Sequence, residues 1–257
     1  MPTTTARLTP SPPHPKLHPL LTILRHARDQ KTLTHGLHLR IYSQINPTLG
    51  LGSSAALTIA LTAALNRLHS PNLNLTHIHQ QALEHTRRIQ TLASGADLAA
   101  SLHGTLHAYQ INPTRIDPLP INQPFQLSLR YSGYKTPTAE VLAKIAHNMQ
   151  QQPEHHQHLY QQMAHTTQTA INALKTHQPQ TLYRALNHYQ TLLVALGVSD
   201  PTLERLIKEA TPQSYASKIS GSGLGDCIVS LSATNAPPPT HHIPISLAPQ
   251  GLIHHTP

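Results

Sequence analysis

The chain has 257 residues, 38% of them hydrophobic, with no Trp, one Phe and one Cys; a core of Leu, Ile, Ala and Val in packed helices suits it better than a β-sandwich, and the lone Cys227 excludes an internal disulfide framework and fits a reducing compartment. The formal charge of +8 favours anionic partners such as nucleotides or phosphorylated substrates, but Lys and Arg form no run beyond Arg87-Arg88, which argues against nucleic acid as a partner. No stretch approaches the ~20 apolar residues of a membrane span and no signal peptide is recognisable, so a soluble, cytoplasmic protein with no membrane partner is expected.

Residues 1–19 are crowded with Pro, Thr and His and read as an extended or disordered lead-in. A short helical pattern covers residues 20–30, and the alternation over residues 37–42 predicts a strand. That strand feeds Ile45-Asn46-Pro47-Thr48-Leu49-Gly50-Leu51-Gly52-Ser53-Ser54-Ala55-Ala56. Gly50 and Gly52 permit positive φ and close approach of the backbone, while Ser53 or Ser54 can cap the helix that follows. Two readings stand at this point: a phosphate cradle at a helix N-terminus, or a tight turn capped by serine. The helix over residues 53–69 is apolar almost all round and is expected to be buried.

A second helix, residues 76–92, carries Glu84 and Arg88 and leads to Ala93-Ser94-Gly95-Ala96-Asp97. Asp97 is either the cap of the short apolar helix that follows or a carboxylate able to orient a hydroxyl, accept its proton or hold a metal ion. A strand is expected at residues 106–109 and another at 125–131. The second strand delivers the polar loop Ser132-Gly133-Tyr134-Lys135-Thr136-Pro137-Thr138, which is either an anion site or a turn with Thr138 as cap, to a helix over residues 139–149. Helical patterns at 153–176, 179–196 and 201–210 form a block. Next comes a strand at 215–219, the loop Ser220-Gly221-Ser222-Gly223-Leu224-Gly225-Asp226 and a strand at 227–231. That loop, with Lys218 beside it, reads as a glycine-rich hairpin or as a close approach to a ligand. Further strands are expected near residues 243–247 and 252–253. The small histidine groups, such as His155, His156 and His158, lack cysteines at zinc spacing and read as solvated surface.

Three of these segments, in this order, resemble the GHMP kinases, the superfamily of galactokinase, homoserine kinase, mevalonate kinase and phosphomevalonate kinase. Leu49 to Ala56 looks like their ATP-binding motif, Ser94-Gly95-Ala96-Asp97 like the segment that carries the catalytic aspartate of mevalonate kinases, and Ile219 to Cys227 like their C-terminal glycine-rich motif. The Gly-Asp-Cys ending is closer to the phosphomevalonate kinase branch. The resemblance implies an α+β, two-domain fold. Residues 20–122 would be a shortened N-terminal ATP-binding domain of the ribosomal S5 domain 2-like type, and residues 123–257 a C-terminal α/β domain. It implies ATP and Mg²⁺ as cofactors and a mevalonate-like small molecule as phosphate acceptor, and it allows a homodimer.

Carried over by position, the resemblance implies that Gly50, Leu51, Gly52, Ser53, Ser54 and Ala55 wrap the ATP phosphates. Ser54 and Glu84 would hold the metal, although Glu84 departs in spacing from the family pattern, and Asp97 would serve the acceptor hydroxyl. Ser220, Gly221, Ser222, Gly223 and Gly225 would close over phosphates and substrate, with Lys135 and Thr138 near the acceptor. The family's opening Pro-Gly-Lys-like and Gly-Glu-His segments have no counterpart in residues 1–36. The chain is therefore expected to lack the opening strands and a charge-neutralising lysine, whose loss could cost on the order of 10²–10³ in rate. A non-catalytic ligand-binding relative is the alternative expectation.

Overall fold

A computed structural model describes residues 18–46, 51–90, 92–120 and 124–254. The chain divides into two compact units, residues 1–116 with 248–257, and residues 117–247. The boundary thus lies a few residues before the one expected from sequence, and the last residues return to the first unit.

In the first unit, α1 (His18–Asp29), α2 (Ser53–Arg67), α3 (Leu75–Ile89) and α4 (Ala96–His103) precede β1 (Leu106–Ile111), which pairs with β2 (Thr114–Leu119), the strand within which the division falls. The all-round apolar character of α2 has a direct cause, because the helix is buried on two sides. Leu61 and Leu65 pack with Leu20, Ile23 and Leu24 of α1, while Ala55, Ile59 and Ala63 pack with Ile78, Ala82, Leu98 and Leu102 of α3 and α4. Asn74 caps α3 by accepting from the His77 amide at 3.0 Å, which fixes the helix that carries Glu84.

Residues 37–42, expected as a strand, have no regular secondary structure. Leu39 and Ile41 lean on the α1–α2 cluster while Leu37 and Tyr42 are exposed. The alternation therefore reports an extended segment lying on helices; the described residues offer it no ladder partner, and a strand exists only as part of one. Residues 252–253 likewise form no strand. Instead the Leu252 amide donates to the Leu102 carbonyl at 2.9 Å, and that of Thr105 to Ala248 at 2.6 Å, stitching the chain end to α4.

In the second unit β3 (Gln126–Lys135) is followed by α5 (Thr138–Gln151), α6 (Pro153–Lys175), α7 (Pro179–Ala195) and α8 (Pro201–Ala210), then β4 (Ala216–Ser220), β5 (Gly225–Ser232) and β6 (Ile243–Ile245). Three of these helices open on a proline at the first helical position, where a missing amide costs nothing. The sheet has the order β4-β5-β3-β6 and its paired strands are antiparallel. Ile219 and Ile228 pack with Leu192, Leu193, Leu203 and Leu206 of α7 and α8. The edge strand β4 is not left open: Gln190 of α7 accepts from the Ile219 amide at 2.9 Å, and Asn187 accepts from the Ser217 amide at 3.3 Å. That cover anchors the strand leading into the glycine loop. Among the described residues no helix is long and apolar enough to cross a membrane.

Candidate functional site

Each unit carries one group of the residues singled out above. In the first unit Gly52 sits before α2 with φ +75°, a conformation that glycine adopts without strain, and no side chain caps the helix. The expected capping role of Ser53 and Ser54 is therefore corrected: both lie inside the first turn, Ser53 half-buried and Ser54 exposed. The first amides of α2 are thus left without a side-chain acceptor from the cap residue, as a helix end that receives an anion requires. Leu51 is exposed and Ala55 is buried in the core. Gly50 lies outside the described residues.

Asp97 is exposed, in the first turn of α4, and its Oδ1 accepts from the Leu98 amide at 2.9 Å. It is not the N-cap, a place taken by Gly95 at φ +85° without a side-chain bond. The turn before it is held from several directions. His79 Nε2 lies 3.1 Å from the Gly95 carbonyl, Tyr109 Oη donates to the Ser94 carbonyl at 2.5 Å, and Arg87 donates to the Ala93 carbonyl at 3.2 Å.

Glu84 is exposed on α3 and committed to neighbours: Arg88 Nη2 donates to its Oε1 at 2.7 Å, and His26 Nε2 stands 3.6 Å from the same oxygen. The Arg88 hydrogen bond lowers the Glu84 carboxyl, against desolvation and with help from the charge of His26. Behind it His26 and His85 meet Nδ1 to Nδ1 at 3.2 Å. Burial, reinforced by His26, pushes the His85 imidazole down to about 4. Among the described residues no group of three or more His, Cys, Asp or Glu could hold a metal ion. The donors at hand, the Ser54 hydroxyl and exposed carboxylates, suit Mg²⁺, which keeps several waters and takes one or two protein oxygens beside substrate phosphates.

In the second unit the structure brings the polar segment after β3 onto the glycine loop. The ladder runs further than the expected loop allows: β3 continues through Lys135, whose Cα pairs with that of Gly225 across an irregularity after Tyr131. Lys135 Nζ lies 3.1 Å from Asp226 Oδ2, and Thr136 Oγ1 donates to the Leu224 carbonyl. Gly221, Gly223, Leu224, Gly225 and Asp226 all have positive φ, a backbone of the kind that forms anion-binding concavities. Two of these glycines are dictated by contact as well. A Cβ at Gly223 would lie 2.3 Å from the Val198 carbonyl oxygen, and one at Gly225 2.8 Å from the Tyr134 ring. Ser220 and Ser222 are half-buried. Thr138 begins α5 but does not cap it; Pro137 holds that position with no side-chain bond.

Lys218, expected to lend charge to the loop, instead turns toward α7. Its Nζ donates to the Ile219 carbonyl and stands 5.6 Å over the Tyr189 ring, and burial lowers its ammonium to about 8. Sequence reading passed over His79, Tyr109 and Asp226. Only Asp226 left a trace, an acid closing a run of glycines.

The GHMP kinases N terminal domain model matches residues 19–105 and the GHMP kinases C terminal model residues 170–239. The mevalonate kinase of Archaeoglobus fulgidus is 31% identical over 196 residues, covering 76% of this chain and 66% of that protein. The chain spans about two thirds or less of the length of such curated relatives, and for the mevalonate kinase of Thermococcus onnurineus the share is 60%. The L. major mevalonate kinase in complex with R-mevalonate superposes with a TM-score of 0.75 at 23% identity, over 92% of this chain and 78% of that one. Streptococcus pneumoniae phosphomevalonate kinase in complex with phosphomevalonate and AMPPNP superposes with a TM-score of 0.71 at 16% identity, over 86% of this chain and 75% of that one. The loop before α2 and the Asp97 turn fall within the first matched segment, and the glycine loop within the second.

Proposed function

The chain belongs to the GHMP kinase family, and on that premise we propose that it transfers the terminal phosphoryl group of ATP to a hydroxyl of a small acceptor of the mevalonate or phosphomevalonate class. The observation that carries the reading is the exposed Asp97 carboxylate on a tethered turn, in the same unit as an uncapped helix N-terminus preceded by Gly52.

Phosphoryl transfer asks for positioned phosphates and an oriented acceptor more than for covalent help. Leu51 to Ala55 offer backbone amides and the positive end of α2 to the phosphates, Gly50 is assigned to the same role by the motif alone, and Ser54 offers its hydroxyl to Mg²⁺. The metal, when bound, neutralises charge that develops on the phosphates. Glu84 is the second candidate ligand and would exchange Arg88 for the ion. Asp97 orients the acceptor hydroxyl and takes its proton. By their motif Ser220, Gly221, Ser222, Gly223 and Gly225 are assigned to phosphate and substrate, and Lys135 with Thr138 to the acceptor's anionic end. This chemistry belongs to a cytoplasmic enzyme, and sedimentation reads whether it acts as a homodimer.

Calorimetric titration with ATP·Mg²⁺ beside a coupled assay with (R)-mevalonate and phosphomevalonate tests the reading. Turnover with either acceptor supports it. The commitment of Glu84 to Arg88 and His26 favours a second reading, a relative that binds nucleotide without transferring phosphate, and binding with no turnover would establish that one instead.

A further inference from the structure

Asp97 stands in the first turn of a helix of 8 residues, too short to fix by itself where that turn points. Two side chains from neighbouring elements supply the constraint. His79, 1% exposed on α3, directs Nε2 at the Gly95 carbonyl, 3.1 Å away. Tyr109, half-buried on β1, donates from Oη to the preceding carbonyl, that of Ser94, at 2.5 Å. Their rings meet edge to face with centroids 5.8 Å apart. Gly95 is enclosed between them: a Cβ there would lie 3.0 Å from Tyr109 Oη, 3.0 Å from Leu83 Cδ1 and 3.4 Å from His79 Nε2. Burial raises the Tyr109 phenol, against the charge of Arg87 and with a smaller contribution from the Asp97 carboxylate.

We infer that His79 and Tyr109 are positioning residues for Asp97, gripping two successive carbonyls of the Ser94-Gly95 turn so that the carboxylate is held where an acceptor hydroxyl meets it. The inference rests on the proposed phosphoryl transfer. Packing alone does not ask for this arrangement, since an apolar residue would fill the His79 position. Its ring instead directs a nitrogen at a carbonyl 16 positions along the chain, and Tyr109 reaches the adjacent carbonyl from β1. Without His79 the buried Gly95 carbonyl has to move toward another donor, and without Tyr109 the exposed Ser94 carbonyl turns to water; a displacement of about 1 Å at a reacting group is enough to cost on the order of 100-fold in rate.

The test compares Tyr109→Phe, His79→Leu and His79→Gln with the unaltered full chain, using ATP·Mg²⁺ and both acceptors. Tyr109→Phe and His79→Leu should lower kcat by about 10- to 100-fold with KM for ATP nearly unchanged. His79→Gln, whose amide can donate to the same carbonyl, should recover most of the loss. Unchanged kcat in Tyr109→Phe and His79→Leu, with the unaltered chain active, overturns the inference and leaves the kinase reading standing. Should the unaltered chain show no turnover, the kinase reading fails and amide hydrogen exchange judges the clamp. Exchange over residues 95–99 should then rise about tenfold in Tyr109→Phe, and unchanged exchange overturns the clamp too. Tyr109→Phe removes a single oxygen, so the test survives if His79→Leu does not fold.

Discussion

Lys135 Nζ and Asp226 Oδ2 lie 3.1 Å apart and tie the end of β3 to the start of β5, the strand that leaves the glycine loop. The pair is asymmetric. The Lys135 side chain is 47% exposed and that of Asp226 12%, and the second oxygen of Asp226, Oδ1, is buried without a hydrogen-bond partner. Asp226 also holds φ +68°, where Asn and Asp are the side chains best tolerated. Asp226→Asn keeps that conformation while removing the charge, so unfolding in urea should show a change below about 1 kcal/mol. Asp226→Val puts a β-branched residue in the left-handed region and should cost about 1–3 kcal/mol. Equal losses in the two variants would show that the ion pair, not the backbone, dominates at this position.

The glycine loop leads to the next expectation. Gly223 combines φ +85° with a Cβ position 2.3 Å from the Val198 carbonyl oxygen, and the Leu224 amide donates to that same oxygen at 2.8 Å. A methyl group there cannot be absorbed by a side-chain rotation, because the obstacle is backbone. Gly223→Ala should lift the loop off the α7–α8 turn. The expected results are a stability loss of about 1–3 kcal/mol in urea unfolding and weaker ATP·Mg²⁺ binding by calorimetry. Gly221→Ala has the same sign of φ but more room, the nearest atom being Asp226 Oδ2 at 3.7 Å, and should be the milder variant.

What the sequence revealed and what it hid divide along physical lines. The helices α6, α7 and α8 were legible because Pro153, Pro179 and Pro201 mark their starts and a 3.6-residue period follows. The burial of α2 was legible because its apolar residues leave no polar face. Residues 37–42 misled, since period-2 alternation records which side faces a surface and not whether that surface is a sheet. The run of β3 through Lys135 was hidden in the same way, being set by Gly225, 90 positions further on. At the candidate site the glycines and Asp97 could be read because their local chemistry is unusual. The bonds from His79 and Tyr109 to the Asp97 turn could not, for a buried histidine on an apolar helix face and a strand tyrosine are ordinary in sequence, and only their aim sets them apart.

Asp97 itself gives the sharpest kinetic expectation. Asp97→Asn preserves shape and the acceptor for the Leu98 amide, and removes the negative charge and the basic oxygen. If the carboxylate takes the acceptor proton, kcat should fall by about 10²–10⁴. The ATP·Mg²⁺ Kd should stay within a factor of about two, since binding of the phosphates is assigned to the α2 N-terminus and the glycine loop. Full activity in Asp97→Asn would remove the role assigned to this residue.

Acid should loosen the first unit through His85. Its ring is buried among His26, Glu84 and Arg88, and its nitrogen meets His26 Nδ1 at 3.2 Å, a contact that needs one donor and one acceptor. Protonating both rings turns both nitrogens into donors, which agrees with a His85 value pushed from 6.5 down to about 4 by burial and then by His26. In the window between those values the unfolded chain binds a proton at this site that the folded chain refuses. The slope of unfolding free energy with pH is therefore positive, and stability falls as pH drops from about 6.5 toward 4. With partial solvent screening the loss at this site should be about 1–2 kcal/mol, less than the full shift would give. Burial also lowers His103, His107 and His242, which lose stability in the same direction. The measurement is therefore a difference: urea midpoints at pH 7 and pH 5 for the unaltered chain and for His85→Gln, a side chain with no proton to gain. The variant should lose less on acidification than the parent. An equal acid loss in both would mean that His85 contributes nothing, because its ring then takes up its proton in the folded chain as readily as in the unfolded one.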